Sequence, residues 1–459
     1  MILRQQLKKM RCFYFGEQMK YSITEIGKIL NASTQGNATI TGVAFNSRDV
    51  VIGDLFVALV ADNDGHRYIQ NALENGAVAV LVDKKHTISH DIPAIIVDDT
   101  LAAFQQLGHY RRNQINPKVI AITGSNGKTT TKDMTAAIMS AEFNTFKTPE
   151  NFNNEIGVPL TLLTMPEDTE VLVVELGMDR PGQLTLLSQL VKPDIAIITM
   201  IGEAHIEFFK TRANIAQAKL EIASGLKADG ALVIPFDEPL LTAAEITKRV
   251  LLFGQGVQDI KSFETYTTFS YKNTQFAIPL IGMYNIMNAL AAISAGILLH
   301  IDLKKAEKAL QTFDLTKNRT ERLVTARGVI LISDVYNSNP TAVAAVLATL
   351  KTIAAPHKYV VLGDMLELGE QANDLHASLG QKVLDANVDG VYLVGQLFNK
   401  NMAPLIRVHK DSVDLHQYET EQLDELTADL ETLGEAGDVI LLKGSHGIHL
   451  ENVVNALMA

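Results

Sequence analysis

Gly124, Gly127, Lys128 and Thr129 fall within the stretch ITGSNGKTTTKD, residues 122–133. An apolar run, VIAIT, leads into it, and a helix-competent segment, TTKDMTAAIMSA, follows. Strand, glycine turn and helix in that order let successive backbone N–H groups form a nest at a helix N-terminus. Donors and helix dipole there both favour a phosphate. On this reading Gly124, Ser125, Asn126, Gly127, Lys128, Thr129 and Thr130 cradle a nucleoside triphosphate. Lys128 reaches the β- and γ-phosphates, and the Thr129 hydroxyl ligates Mg²⁺. A standard phosphate loop has a glycine where Ile122 stands, but the later amides hold the anion. The competing reading is a glycine turn with an exposed lysine, and the order of strand, two glycines, Lys-Thr and helix speaks against it.

In an open parallel sheet, ligands collect beyond the carboxyl ends of the strands. VLVVE delivers Glu175 to such an end; IAIIT delivers Thr199 and, six residues on, His205. A carboxylate at the end of an apolar strand must be paired or bind a metal, so Glu175 is read as a Mg²⁺ ligand, with a structural salt bridge as the alternative. His205 by itself reads equally well as structural; its place on the same rim makes it a metal or substrate candidate. In NIAQAKLEIASGL, Ile215, Lys219 and Ile222 share one helical face. A lysine there either snorkels or serves the site. Asn285 and Asn288 stand three apart on the helical segment GMYNIMNALAAISAG, so both amides can meet one ligand, although asparagines also serve as plain caps.

These residues need elements to hold them. The 459-residue chain is too long for one ordinary core. Residues 19 to about 112 mix short strands (FVALV, VAVLV, AIIV) with helical stretches. From Lys118, near-continuous apolar runs (VIAIT, VLVVE, IAIIT, ALVIP) mark strands buried on both faces of a parallel sheet. A third alternation, VILISD, YVVLGD, VYLVG and VILLKG, reads as a second doubly wound unit. The expected organisation is three α/β domains: residues 1–113, with 1–18 as an upstream-start extension; residues 114–322, a central P-loop-type parallel-sheet domain; and residues 323–459, a Rossmann-like domain.

A formal charge of −12 argues against a nucleic-acid or anionic-membrane partner, and the single cysteine, Cys12, suits a reducing cytoplasm. No segment approaches a membrane span. A nucleotide switch is a weaker reading than an enzyme, because no Asn-Lys-x-Asp guanine-reading motif is present.

Further motifs carry a resemblance: FNSRDVVIGDLFVAL and DGHRYI in the first domain, ENFNNEIGVPLTLL and ELGMDRPGQ in the second, DVYNSNP, LGDMLELG and LLKGSHG in the third. With the loop, they make the chain from about Tyr21 onward similar to the Mur ligases, the ATP-dependent enzymes that build the peptide stem of peptidoglycan precursors. It is most similar to the branch that adds D-alanyl-D-alanine. The resemblance implies an N-terminal domain for a UDP-N-acetylmuramoyl-tripeptide, a central ATP domain, and a C-terminal domain for the incoming D-alanyl-D-alanine, joined through an acyl phosphate. It implies that Thr129 and Glu175 share one Mg²⁺, and that His205 and Lys219 serve a second, with Lys219 carbamylated. Asn285 and Asn288 would approach the nucleotide, Arg319 the γ-phosphate, and Asp334 the ribose. Ser47 and Arg48 would grip the uridine diphosphate, with Asn153 and Asn154 nearer the muramoyl part. A hinge is expected within Thr316 to Thr325, and the enzyme is expected to be a monomer. A sister ligase adding a single amino acid, or a folylpolyglutamate-type ligase, is the nearest alternative. His446 departs from the family's arginine after Lys-Gly-Ser.

Overall fold

The computed structural model describes residues 19–60, 63–316, 319–409 and 413–459. Cys12, the 1–18 extension and residues 317–318 of the expected hinge lie outside the described residues.

Three principal sheets follow one another along the chain. The first has five strands, in the order Ser33–Gln35, Ala94–Val97, Ala79–Asp83, Asp54–Val57, Gly42–Ala44, parallel except for Ser33–Gln35. Helix Ile23–Leu30 begins with a capping box in which Ser22 and Glu25 satisfy each other's backbone donors. Helix Thr100–Ile115 leads out of this unit, and its buried Arg112 donates from Nε to the Val191 carbonyl at 2.8 Å, fixing the first unit to the second.

The central sheet has six parallel strands, ordered Arg249–Phe253, Ala231–Pro235, Ile195–Ile198, Lys118–Thr123, Val171–Glu175, Thr145–Lys147. Its four inner strands are almost wholly apolar and buried because both faces are covered, while the edge strands Arg249–Phe253 and Thr145–Lys147 are more exposed. Ile120, Ile122, Val173 and Ile197 pack with helices Lys128–Ser140 and Met283–Leu298, while Val119, Ala121, Val174 and Ile198 pack with helices Gln183–Val191 and Arg212–Leu220. Lys118–Thr123 lies between Ile195–Ile198 and Val171–Glu175, so chain direction across the sheet reverses at its carboxyl end. Such a switch point leaves a crevice for ligand.

The third sheet runs Glu321–Val324, Ile330–Asp334, Val439–Lys443, Lys358–Gly363, Gly390–Val394, Asp414–Tyr418, parallel apart from its first strand. One further feature lay beyond the sequence reading: an antiparallel sheet of Gln258–Ser262, Thr267–Tyr271 and Thr274–Ile278. Its strands are short and largely polar; Gln258–Ser262 is exposed throughout, and only a few residues of the other two, such as the stacked Phe269 and Phe276, turn inward. The expected helix over NIAQAKLEIASGL is helical to Leu220 and tightens into a 3₁₀ segment, Glu221–Gly225. No helix among the described residues is long and apolar enough to cross a membrane.

In the first unit, Asp64, His66, Asp83 and His86 form a closed clamp. His86 Nδ1 meets Asp83 Oδ1 at 2.8 Å and its Nε2 meets Asp64 Oδ2 at 3.1 Å, while His66 Nδ1 meets Asp64 Oδ1 at 2.7 Å. The two imidazoles lie face to face, 3.7 Å apart and 11° from parallel. Stacked rings cannot both aim in-plane lone pairs at one ion, so the cluster reads as a hydrogen-bonded clamp and not a metal site. The hydrogen bond to Asp83 raises the His86 pKa, with Asp64 adding to it. Hydrogen bonding to His66 lowers that of Asp64. Burial pushes Asp83 up, but its bonds to His86 and Lys85 outweigh this and lower it. His86 therefore contributes stability that is complete below its ordinary value of about 6.5 and is lost as pH rises through its raised value; the carboxylates contribute above their ordinary range and lose it as pH falls. Amide exchange across Ala79–Asp83, corrected for intrinsic rates, should lose protection as pH rises past neutrality. His86→Ala should flatten that dependence, and an unaltered pH profile in the variant would refute the clamp.

Candidate functional site

Two glycines shape the turn after Lys118–Thr123. A Cβ on Gly124 would collide with Thr199 Oγ1, and one on Gly127 with Asn288 Oδ1. Gly127 also caps the Lys128–Ser140 helix at φ 80°, in the left-handed region. Ser125 donates its backbone N–H to Met200 O at 3.0 Å, and Thr199 Oγ1 donates to Asn126 O at 2.5 Å, binding the turn to the neighbouring strand end. Lys128 folds over the turn, with Nζ donating to Gly124 O at 2.8 Å. Burial lowers its pKa, and Arg319 adds to the effect while nearby Glu175 opposes it.

Two cavities meet at this turn. One, of about 470 Å³, is lined by Thr130, Thr199, Ile201, Pro235, Tyr284, Asn285, Met287 and Asn288 from the central unit and by Asp334, Thr341 and Lys443 from the third. The other, of about 410 Å³, is lined by Ser125, Lys128, Asn153, Asn154, Glu175, His205, Tyr336, Glu367 and His446. Asn126, Gly127, Thr129, Arg319 and Asn337 line both. A polyphosphate threaded along the turn from the first cavity thus presents its end group to the second.

Glu175 is buried, 1% exposed. Its Oε1 accepts from Asn153 Nδ2 at 2.7 Å, and its Oε2 has no hydrogen-bond partner. A buried, half-satisfied carboxylate lining the same cavity as Thr129 supplies, with that hydroxyl, an oxygen-donor set that fits a hard divalent cation. Asn153 is thereby occupied in holding Glu175, while Asn154 Oδ1 accepts from the backbone of Ile156 and Gly157 at the start of helix Gly157–Leu163. His205 faces the second cavity, and its Nδ1 is engaged by Glu367 of the third unit at 2.5 Å. That hydrogen bond lowers the Glu367 pKa. Lys219 lines neither cavity; it is buried without an ion-pair partner among the described residues, and burial, then repulsion from Lys128, hold its pKa well below the ordinary lysine value.

On the first cavity's side, Asn288 Nδ2 donates to Asn285 Oδ1 at 3.2 Å, and Asn285 Nδ2 to Ile281 O at 2.8 Å. Asp334 is ion-paired with buried Lys443 at 2.6 Å. Arg319 lies over the Tyr336 ring at 3.9 Å. Lys443, Tyr336 and Glu367 carried no assignment from sequence, although all stand in quoted third-domain motifs. Their pattern showed strand ends and a loop, but not which residues of another domain they would face. Ser47 is buried and Arg48 exposed, on the short 3₁₀ turn Ser47–Asp49; neither lines the two cavities.

A parallel sheet carrying a phosphate turn at its switch point, with a second α/β unit closing over it, is the build of an ATP-dependent ligase. Residues 122–296 match the Mur ligase middle domain and residues 318–446 the Mur ligase glutamate ligase domain, and the chain belongs to the Mur ligase family. The UDP-N-acetylmuramoyl-tripeptide–D-alanyl-D-alanine ligase of Bacillus subtilis is 40% identical, over 95% of this chain and 97% of its own. That of Escherichia coli is 31% identical, over 95% and 98%. A crystal structure of MurF from Acinetobacter baumannii superposes with a TM-score of 0.86 at 28% identity, covering 96% of this chain and all of that one. The Thermotoga maritima MurF ligase, solved in complex with ADP, gives 0.79 at 28%, over 91% and 96%.

Gly127→Ala tests the turn. Its methyl would displace Asn288, whose Oδ1 also accepts from Thr131 Oγ1 at 3.3 Å, and would place alanine in the left-handed region at about 1–2 kcal/mol. Adenine nucleotide affinity, measured by calorimetry, should fall at least tenfold, and unchanged affinity would show that the turn does not hold phosphate.

Proposed function

We propose that this chain joins D-alanyl-D-alanine to a UDP-N-acetylmuramoyl-tripeptide, with ATP cleaved to ADP and phosphate through an acyl phosphate. The observation that carries this reading is the pair of cavities sharing Asn126, Gly127, Thr129 and Arg319. One cavity has the size and mixed lining of a nucleoside site; the other is walled by the central and third units together.

A carboxylate is a poor electrophile, and bringing it to a triphosphate sets two anions against each other. Lys128 and Arg319 lie where they offset that repulsion, in a partly buried setting that strengthens both. The stem carboxylate attacks the γ-phosphorus, ADP leaves, and the amine of D-alanyl-D-alanine attacks the acyl carbon. The tetrahedral intermediate collapses with loss of phosphate. The third unit's wall keeps water from the acyl phosphate. Thr129 and Glu175 would hold one Mg²⁺, and His205, on exchanging Glu367 for it, a second with Lys219. Bound there, the ions would neutralise charge on the transferring phosphoryl group. Lys219 suits carbamylation because burial lowers the pKa of its amine and so favours the uncharged form that reacts with carbon dioxide. Ser47 and Arg48 are assigned to the uridine diphosphate end and Asn153 and Asn154 to the muramoyl side. The working unit is assigned as a monomer.

Incubation with ATP, D-alanyl-D-alanine and UDP-tripeptides carrying lysine or diaminopimelate third should give a product mass increased by one dipeptide less water, and should identify the third residue. ADP release with a single amino acid and none with D-alanyl-D-alanine would overturn the assignment in favour of a sister ligase. Lys128→Ala should lower the rate of ADP release by about 10²–10³-fold with the melting profile retained, because the hydrogen bonds of this side chain go to the carbonyls of the turn it covers; near-normal turnover would remove Lys128 from the mechanism.

A further inference from the structure

Asp133 lines neither cavity. It lies on the helix that starts at the phosphate turn, 1% exposed, with both carboxylate oxygens occupied. Oδ1 accepts from Lys147 Nζ at 2.7 Å, and Lys132 Nζ stands 3.6 Å away. Oδ2 accepts twice from Thr316, from the backbone N–H at 2.9 Å and from Oγ1 at 2.8 Å. Burial pushes the Asp133 pKa up, but Lys132 and Lys147 outweigh it and keep the group ionised. Charge-assisted bonds in a buried place are stronger than neutral ones.

Thr316 is on the segment between helix Leu303–Gln311 and strand Glu321–Val324, three residues before Arg319. Arg319 is held by the face of Tyr336, and its buried Nε has no hydrogen-bond partner. With no hydrogen bond at Nε, the place of the side chain is set by the Tyr336 ring and by a backbone tethered three residues from Thr316. The same buried cluster anchors the opposite wall: Lys132 Nζ donates to Glu150 O at 2.9 Å, and the adjacent Asn151 donates to the Tyr336 hydroxyl.

We propose that Asp133 is a positioning residue: by gripping Thr316 it registers the interdomain segment against the phosphate-turn helix and sets Arg319 at the seam between the cavities. This rests on the reading that Arg319 acts on the phosphoryl group transferred. Thr316→Val removes the hydroxyl and keeps the volume, and Thr316→Ser does the reverse. A positioning role makes the valine variant slower in kcat by about tenfold and leaves the serine variant near wild type, with both ATP KM values little changed; a packing role gives the opposite order and overturns the proposal. Asp133→Asn should slow kcat at least as much as Thr316→Val. In an Arg319→Ala background, neither substitution should slow the enzyme further, whereas multiplicative losses there overturn the proposal while leaving the proposed function standing. Should Asp133→Asn fail to fold, the Thr316 pair in both backgrounds decides alone. Arg319→Ala with wild-type kcat would instead defeat the reading of Arg319 itself, and the positioning role with it.

Discussion

Positive charge held without a full set of partners is the constraint on which this molecule turns. In a chain of net charge −12, Lys128 has only the carbonyls of its own turn to bond, Lys219 is buried beside it with its pKa driven down, and Arg319 has an unpartnered buried nitrogen. Facing them, Glu175 keeps one buried oxygen unpaired. Each such group weakens the folded state when no ligand is present. The surrounding core, apolar on both sheet faces, carries that cost. A site already closed by internal ion pairs would have nothing to offer a triphosphate.

The opposite choice was made wherever a charge is structural. Asp334 and Lys443, Asp133 and Lys147, and Arg112 with the Val191 and Lys192 carbonyls are all closed pairs or closed sets. Arg112 joins the first unit to the second, whereas Asp334–Lys443 lies within the third unit and Asp133–Lys147 within the central one. The third unit is further joined to the central one by Asn126 with Asn339, Glu203 with Thr341, and His205 with Glu367. These contacts are polar and mostly partly buried, and one buried apolar cluster also includes residues of both units, among them Ile281, Ile332 and Val343.

Much of this was legible in sequence because parallel strands buried on both faces announce themselves. VIAIT and VLVVE located the sheet, and the rule on strand ends then located Glu175, Thr199 and His205 without any contact information. Asn285 and Asn288 were placed correctly on one helix face, yet that they bond to each other could not be read from spacing. Asp133 falls within ITGSNGKTTTKD itself, yet an aspartate on an amphipathic helix reads as solvated until a partner 183 residues away is known. The antiparallel sheet at 258–278 escaped for another reason: its alternation is short and its outward residues are polar. Ser47 and Arg48 rest on the resemblance alone, and the geometry of the two cavities does not draw them in.

The position of Arg319 in the chain joins these points. An arginine on a central strand or helix would be present at the phosphate turn in every arrangement of the units, repelling Lys128 whether or not a nucleotide were there to separate them. Placed just before Glu321–Val324, the first strand of the third sheet, it lies where the backbone passes from one unit to the other, with its guanidinium on Tyr336 of the third unit. On the proposed function, the second cation and the wall around the acyl phosphate are then supplied at one seam. On the positioning role proposed for Asp133, its grip on Thr316 ties that seam to the helix that begins at the phosphate turn.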